Sequence, residues 1–143
     1  MSLEEAIVGD CEEPDPELNR ITHGIIGAAI EVHRHLGPGH LESAYEEAMA
    51  IEMGLRGIAF ARQVDVDLTY KGQVIGTGRL DFLVEGLVVV DLKAIKSVGD
   101  VQAAQMISYL AITGHPLGLI INFNVATLRN GIRRIAGRSR VGR

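Results

Sequence analysis

The segment LVVVDLKAI (residues 87–95) is apolar almost throughout, yet it carries Asp91 and Lys93 two positions apart. A short run of this kind suits a strand covered on both faces, at the centre of a sheet. A charge buried there without a partner costs several kcal/mol. The two charges therefore need each other, a third group or an ion. Side chains alternate along a strand, so Asp91 and Lys93 share one face.

Periodicity sets out the elements around this strand. Ile21, Ile25, Ala28, Ala29, Val32 and Leu36 recur at helical spacing and predict a helix over roughly 17–36. Asp15-Pro16 is its start signal and Gly37-Pro38-Gly39 breaks it. A second helix is expected from about His40 to Leu55, with Leu41, Ala44, Tyr45, Ala48, Ile51 and Leu55 on its apolar face. Val64, Val66, Leu68 and Tyr70 alternate with polar residues, as in a half-buried strand. Lys71-Gly72 turns the chain into a strand over 74–83, and the 87–95 strand follows. A third helix is expected over 101–113, capped by Asp100 and ended by Gly114 and Pro116. Residues 117–123 form a fourth strand and 126–136 a short helix. Gly76-Thr77-Gly78 lies inside strand-like sequence and reads as a bulge or bend.

This order gives an antiparallel meander of three strands, then a helical crossover to a parallel fourth. The fold class is α/β: a mixed four-stranded sheet flanked by helices. One domain is expected over 15–136, between an acidic flexible arm (1–14) and a basic C-terminal tail (137–143). With 47% hydrophobic residues the chain can build a sizeable core, and with no Trp that core must be largely aliphatic. The single cysteine, Cys11, excludes an intrachain disulfide framework and a Cys-based zinc site. No apolar run reaches the roughly 18 residues of a membrane helix, and the start is acidic rather than basic. A soluble cytoplasmic protein with no membrane partner is expected.

The net charge of -4 hides an asymmetry. Residues 1–18 hold seven acids and no Lys or Arg, leaving +3 over 19–143. The last fifteen residues hold six arginines and no acid. Such an end would suit a polyanion, and a solvated terminus equally.

Whether Asp81, in GRLDFLV, joins Asp91 depends on one turn. A two-residue turn at Glu85-Gly86 would pair position 81 with 90 and put the aspartates on opposite faces. A three-residue loop, Val84-Glu85-Gly86, would pair 83 with 87, place Gly86 in the left-handed region and bring both aspartates to one face. The second is the expectation. Two carboxylates that close repel unless a cation lies between them, and oxygen ligands without Cys or His suit Mg²⁺ or Mn²⁺. A lysine beside them could orient a water or offset charge on a phosphate. The competing reading is a buried Asp–Lys ion pair with Asp81 merely exposed. The histidines offer no site: His33 and His35 lie about 200° apart on their helix, and the others are isolated.

The spacing Asp81-x9-Asp91-x-Lys93 resembles the signature of the PD-(D/E)XK nuclease superfamily, with Leu80 in place of the leading proline. The flanking sequence is similar to one branch of it, the small prokaryotic GxxExxY family. Its naming motif corresponds to Gly39-His40-Leu41-Glu42-Ser43-Ala44-Tyr45. GRLDFLVEG, VVVDLKAIKSV, AAQMISYLAITG and GLIINFNVATLRNGIRRI extend the likeness over roughly 19–136. The resemblance implies a restriction-endonuclease-like αβββαβ core, here with an extra N-terminal helix. It implies Mg²⁺-dependent hydrolysis of nucleic acid, DNA before RNA, with Mn²⁺ as a substitute. Asp81 and Asp91 would be metal ligands and Lys93 the residue that activates or orients the water.

Many such nucleases add a carboxylate from the helix before the sheet. Glu42 lies about 60° from Tyr45 on the helical wheel and Glu46 about 100°, which favours Glu42 as catalytic residue and ligand. A first-turn carboxylate that merely answers the helix dipole is the rival reading of Glu42. Gln105-x3-Tyr109 resembles the Gln/Tyr pair of exonuclease-like members, where Gln105 would orient Lys93 or touch the substrate. A homodimer would let so small a domain cover a long substrate. The competing functions are a non-catalytic nucleic-acid-binding or regulatory module, and an assembly role with the polar set as an internal ion-pair network.

Overall fold

The start of the first helix, α1 (Pro16–Leu36), follows from its cap: Asp15 Oδ1 accepts the N–H groups of Glu17 (2.9 Å) and Leu18 (3.3 Å). These otherwise orphaned donors explain why a carboxylate precedes the proline. The helix ends at Gly37, whose φ of 67° few other residues adopt easily and whose N–H reaches His33 O. The computed structural model describes residues 15–137. The expected acidic arm, and the basic tail from residue 138 on, lie outside those residues.

The second helix, α2, spans Glu42–Leu55 and buries Tyr45, Met49 and Met53. This corrects the expected face: Leu41, Ile51 and Leu55 are 78%, 63% and 77% exposed. Apolar residues run almost all the way round this helix, so periodicity alone could not choose the stripe that meets the sheet.

Strands β1 (Phe60–Tyr70), β2 (Gln73–Val84), β3 (Val88–Lys93), β4 (Leu117–Asn122) and β5 (Ile132–Ala136) form one sheet in that order. β3 and β4 are parallel, joined through helix α3 (Asp100–Thr113), and the other pairs are antiparallel. The mixed, helix-flanked sheet is thus the expected one, with one strand more. Residues 126–136 are not a helix: a single 3₁₀ turn (Leu128–Gly131) leads into β5. Leu128, Ile132 and Ile135 recur at a spacing that imitates a helix. However, β4 is buried along its whole length, and an unpaired outer edge would strand its N–H and C=O groups. Strand pairing therefore wins. Asp100 is also not the cap of α3 but its first residue. Gly99 caps, and its N–H donates to Gln102 Oε1 at 2.8 Å.

Two cores sandwich the sheet. On one face α1 and α2 pack on Phe82, Val84, Val88, Val90, Leu92, Leu119 and Ile121. On the other, Ala103, Met106 and Leu110 of α3 pack on Val66, Leu80, Val89, Ile120 and Ile135. β3 and β4 are covered on both faces, as their sequence requires. Leu80 and Phe82 are two apart on one strand yet join opposite cores. The β1–β2 hairpin therefore rolls over between them, at Asp81, and Gln63 opposite takes a φ of 56°.

Gly76, Thr77 and Gly78, expected to form a bulge or bend, pair regularly with Leu68, Asp67 and Val66, and the irregularity lies one residue earlier, at Ile75. The β1–β2 register slips between Leu68 and Thr69, and a Cβ on Gly78 would lie 2.7 Å from the Tyr109 ring. No helix among the described residues is long and apolar enough to cross a membrane.

Candidate active site

The β2–β3 loop decides the geometry. It is a three-residue loop, but it sits one residue later than expected: Glu85–Leu87 connects the strands, with Val84 facing Val88 and Phe82 facing Val90. Glu85 and Gly86 both have positive φ, and Leu87 N–H bonds to Val84 O at 3.0 Å. Val84 stays in the strand because its side chain is fully buried against the α1/α2 core. The shift changes the register by two and so preserves which residues share a face. Asp81 and Asp91 come to one face, almost directly opposite rather than diagonal.

Regular pairing of β2 with β3 stops just there. Instead of a strand-to-strand bond, Asp81 Oδ2 accepts the Leu92 N–H at 2.8 Å. β3 runs on beside β4 as far as Lys93 facing Asn122. The parting of β2 from β3 leaves a partly open notch, in which Asp81 and Asp91 are within hydrogen-bonding reach. Lys93 Nζ lies 3.2 Å from Asp91 Oδ2, with 21% and 18% of the two side chains exposed.

Glu42 faces this notch from the first turn of α2, close enough for its charge to act on Asp81 and Lys93. Its position follows from the residues around it. Tyr45 is fully buried and stacks on Phe123 (4.4 Å between centroids, 6° between planes). The Tyr45 hydroxyl donates to Gly37 O at 2.5 Å and accepts the His40 N–H at 3.2 Å. It thus pins the Gly37–His40 loop that delivers Glu42. Glu46, the rival carboxylate, is engaged elsewhere: Arg62 Nε donates to it at 2.7 Å and Gln63 Nε2 at 2.8 Å.

Electrostatics single out the same residues. Burial pushes the Asp81 carboxyl up to about 7; the Leu92 N–H opposes this, and Asp91 and Glu42 reinforce it. Burial likewise raises Glu42, against the pull of Lys93 and with the push of Asp91 and Glu46. For Lys93 burial acts downward, but Asp91, Glu42 and Asp81 together outweigh it and hold the ammonium above the usual lysine value. Three carboxylates therefore face one ammonium, an excess of negative charge that a divalent cation would relieve.

Among the described residues no three His, Cys, Asp or Glu side chains already stand as a metal cage. What the structure brings together is the Asp81–Asp91 pair. Its donor set fits Mg²⁺ or Mn²⁺ in kind, being all oxygen, and Mg²⁺ commonly takes one or two carboxylates plus waters and substrate phosphate. Gln105 is exposed on α3, and its amide reaches Tyr109 OH at 3.5 Å rather than Lys93.

Sequence reasoning missed Asn122. Buried to 2% exposure beside Lys93, it accepts the Ile95 N–H (3.1 Å) and donates to Ile95 O (2.9 Å). That grips the chain just beyond Lys93, and the Phe123 N–H bonds to Lys93 O at 2.9 Å. An asparagine inside the apolar run LGLIINF was the available signal.

A family model described as the PD-(D/E)XK nuclease superfamily matches residues 19–135. No curated protein and no solved structure matches the chain.

Proposed function

The chain belongs to the PD-(D/E)XK nuclease superfamily, and from that premise we propose that it is a Mg²⁺-dependent nuclease, acting on DNA in preference to RNA. The observation that carries this reading is the Asp81–Asp91 pair with Lys93 at 3.2 Å, in the notch where β2 leaves β3. The Gly39–Tyr45 motif supports the GxxExxY branch, because Tyr45 and the loop that it pins set the start of the Glu42 helix.

In this reading Asp81 and Asp91 hold the cation, and Glu42 adds a third carboxylate from α2. Bound there, a divalent ion supplies a Lewis acid for the scissile phosphate and lowers the pKa of the attacking water. Lys93 remains an ammonium at neutral pH, since the carboxylates beside it outweigh its burial. It therefore acts as a donor: it orients a water by its lone pair and offsets charge developing on the phosphate oxygens. Asp81 holds its orientation through the Leu92 N–H, so the pair does not depend on flexible side-chain rotamers. Gln105 is a substrate contact at most, its amide being turned to Tyr109.

A non-catalytic nucleic-acid-binding or regulatory module is the second reading. One observation favours it, namely that no three-acid cage stands ready among the described residues.

Cleavage decides between them. Labelled single- and double-stranded DNA and RNA are incubated with Mg²⁺, Mn²⁺ or chelator, with Asp91→Ala in parallel. The nuclease reading expects cleavage only with metal, reduced on the order of a hundredfold or more in the variant, as for lost electrostatic groups. Binding without cleavage under every condition supports the second reading.

A further inference from the structure

Beside the notch lies a cleft of about 140 Å³, walled by Lys96, Ser97, Asn122, Asn130 and Arg133. Its wall holds two cations and no carboxylate. The register fixes where it lies. Asp91 faces Ile120 on β4, and Ile120 faces Arg133 on β5. Facing residues share a sheet face, so Arg133 is on the Asp91 side, two strand spacings or roughly 10 Å away. Asn122, which lines the cleft, faces Lys93 itself.

The walls are held in place. Arg133 Nη2 donates to Val98 O at 3.0 Å, tying β5 to the loop after β3. Asn122 grips Ile95 at both its N–H and its carbonyl, which fixes the backbone that presents Lys96 and Ser97. Gly131 packs so closely on Asn122 O that a Cβ could not fit, which brings the turn before β5 hard against the end of β4. Lys96 has no carboxylate partner among the described residues. A compact cleft with two cations, a hydroxyl and side-chain amides is suited to a phosphate group.

We propose that this cleft seats a backbone phosphate of the nucleic-acid strand, next along from the one that is cut. The inference rests on the nuclease reading and adds to it the path of the substrate: across the sheet, from Asp91 over β4 to β5. Lys96 and Arg133 are then binding residues that place the strand, and take no part in the chemistry.

Two measurements on the full chain test it. Inorganic phosphate, titrated with chelator present and followed by amide NMR shifts, should perturb Ser97, Val98, Asn130 and Gly131. Lys96→Ala should lose that response, and Lys96→Arg should keep it. Next, oligonucleotide binding is followed against salt. Lys96→Ala should flatten the slope of log K against log salt by ~0.7 to ~0.9, the value of one phosphate contact, and raise KM with kcat unchanged. No shifts with phosphate, or equal shifts in Lys96→Ala, overturn the cleft as an anion site even if the wild type cleaves normally. Phosphate shifts with an unaltered oligonucleotide slope overturn the strand assignment and leave a free-phosphate site. If phosphate binds but no nucleic acid is bound or cleaved, the nuclease reading falls together with the strand path, while the anion site stands.

Discussion

Asp81 carries an unusual electrostatic load for a strand residue. Its raised pKa, about 7, means that between roughly pH 4 and 7 the folded protein holds a proton that the unfolded chain has released. The sign follows. Protonation of Asp81 supports the fold at low pH, and that support is lost as pH rises through the folded value. At constant ionic strength the metal-free protein should melt at a lower temperature at pH 8 than at pH 5. Asp81→Asn should flatten that dependence, and Mg²⁺ should restore stability at pH 8 in the wild type but not in the variant. A melting temperature that is flat across this window in the wild type would contradict the account. At this scale the sequence was informative about Asp91 and Lys93, because charges inside an apolar run have no packing explanation. Asp81 was legible only through a guess at the turn. Parity survived a loop placed one residue off, but Asp81 ended opposite Asp91 rather than diagonal to it. Asn122 left a signal, a polar residue in an apolar run, but its partner Ile95 and the rolled-over backbone at Gln63 were not legible, since both depend on contacts distant in sequence.

At the scale of elements, the site is a meeting of ends: the start of α2, the break in β2 and the last turn of β3 into its loop. Tyr45 joins the first of these to the core. Tyr45→Phe keeps the ring on Phe123 but removes the hydroxyl from Gly37 O and the His40 N–H, two contacts in a buried setting. A stability loss of ~1–3 kcal/mol is expected from chemical denaturation. The same variant should cleave more slowly while binding metal at Asp81 and Asp91 with little change. Unaltered stability and rate would mean that Tyr45 does not set the position of Glu42. The elements themselves were read from the sequence with two misjudgements of one kind. Residues 126–136 imitate helical spacing and become a 3₁₀ turn and β5, and α2 buries Tyr45, Met49 and Met53 rather than Leu41, Ile51 and Leu55. In both places local periodicity was degenerate, and the demand of a neighbour decided: an open edge on β4, a flat face on the sheet.

For the whole molecule, the two central strands act as a platform covered on both faces, and the notch and the cleft beside it lie at the C-terminal ends of β3 and β4. α1 and α2 close one side and α3 the other, so strand ends rather than a groove between domains present the chemistry. The central claim is that Asp81 and Asp91 form a divalent-cation site, and it can be tested without guessing the substrate. Mn²⁺ binding to the full chain, followed by the loss of free-ion EPR signal, is the measurement. The account predicts saturable binding that is lost in Asp81→Asn and in Asp91→Asn and kept in Glu46→Gln, whose carboxylate is held by Arg62 and Gln63. Binding that survives both aspartate substitutions, or no binding by the wild type, would contradict it.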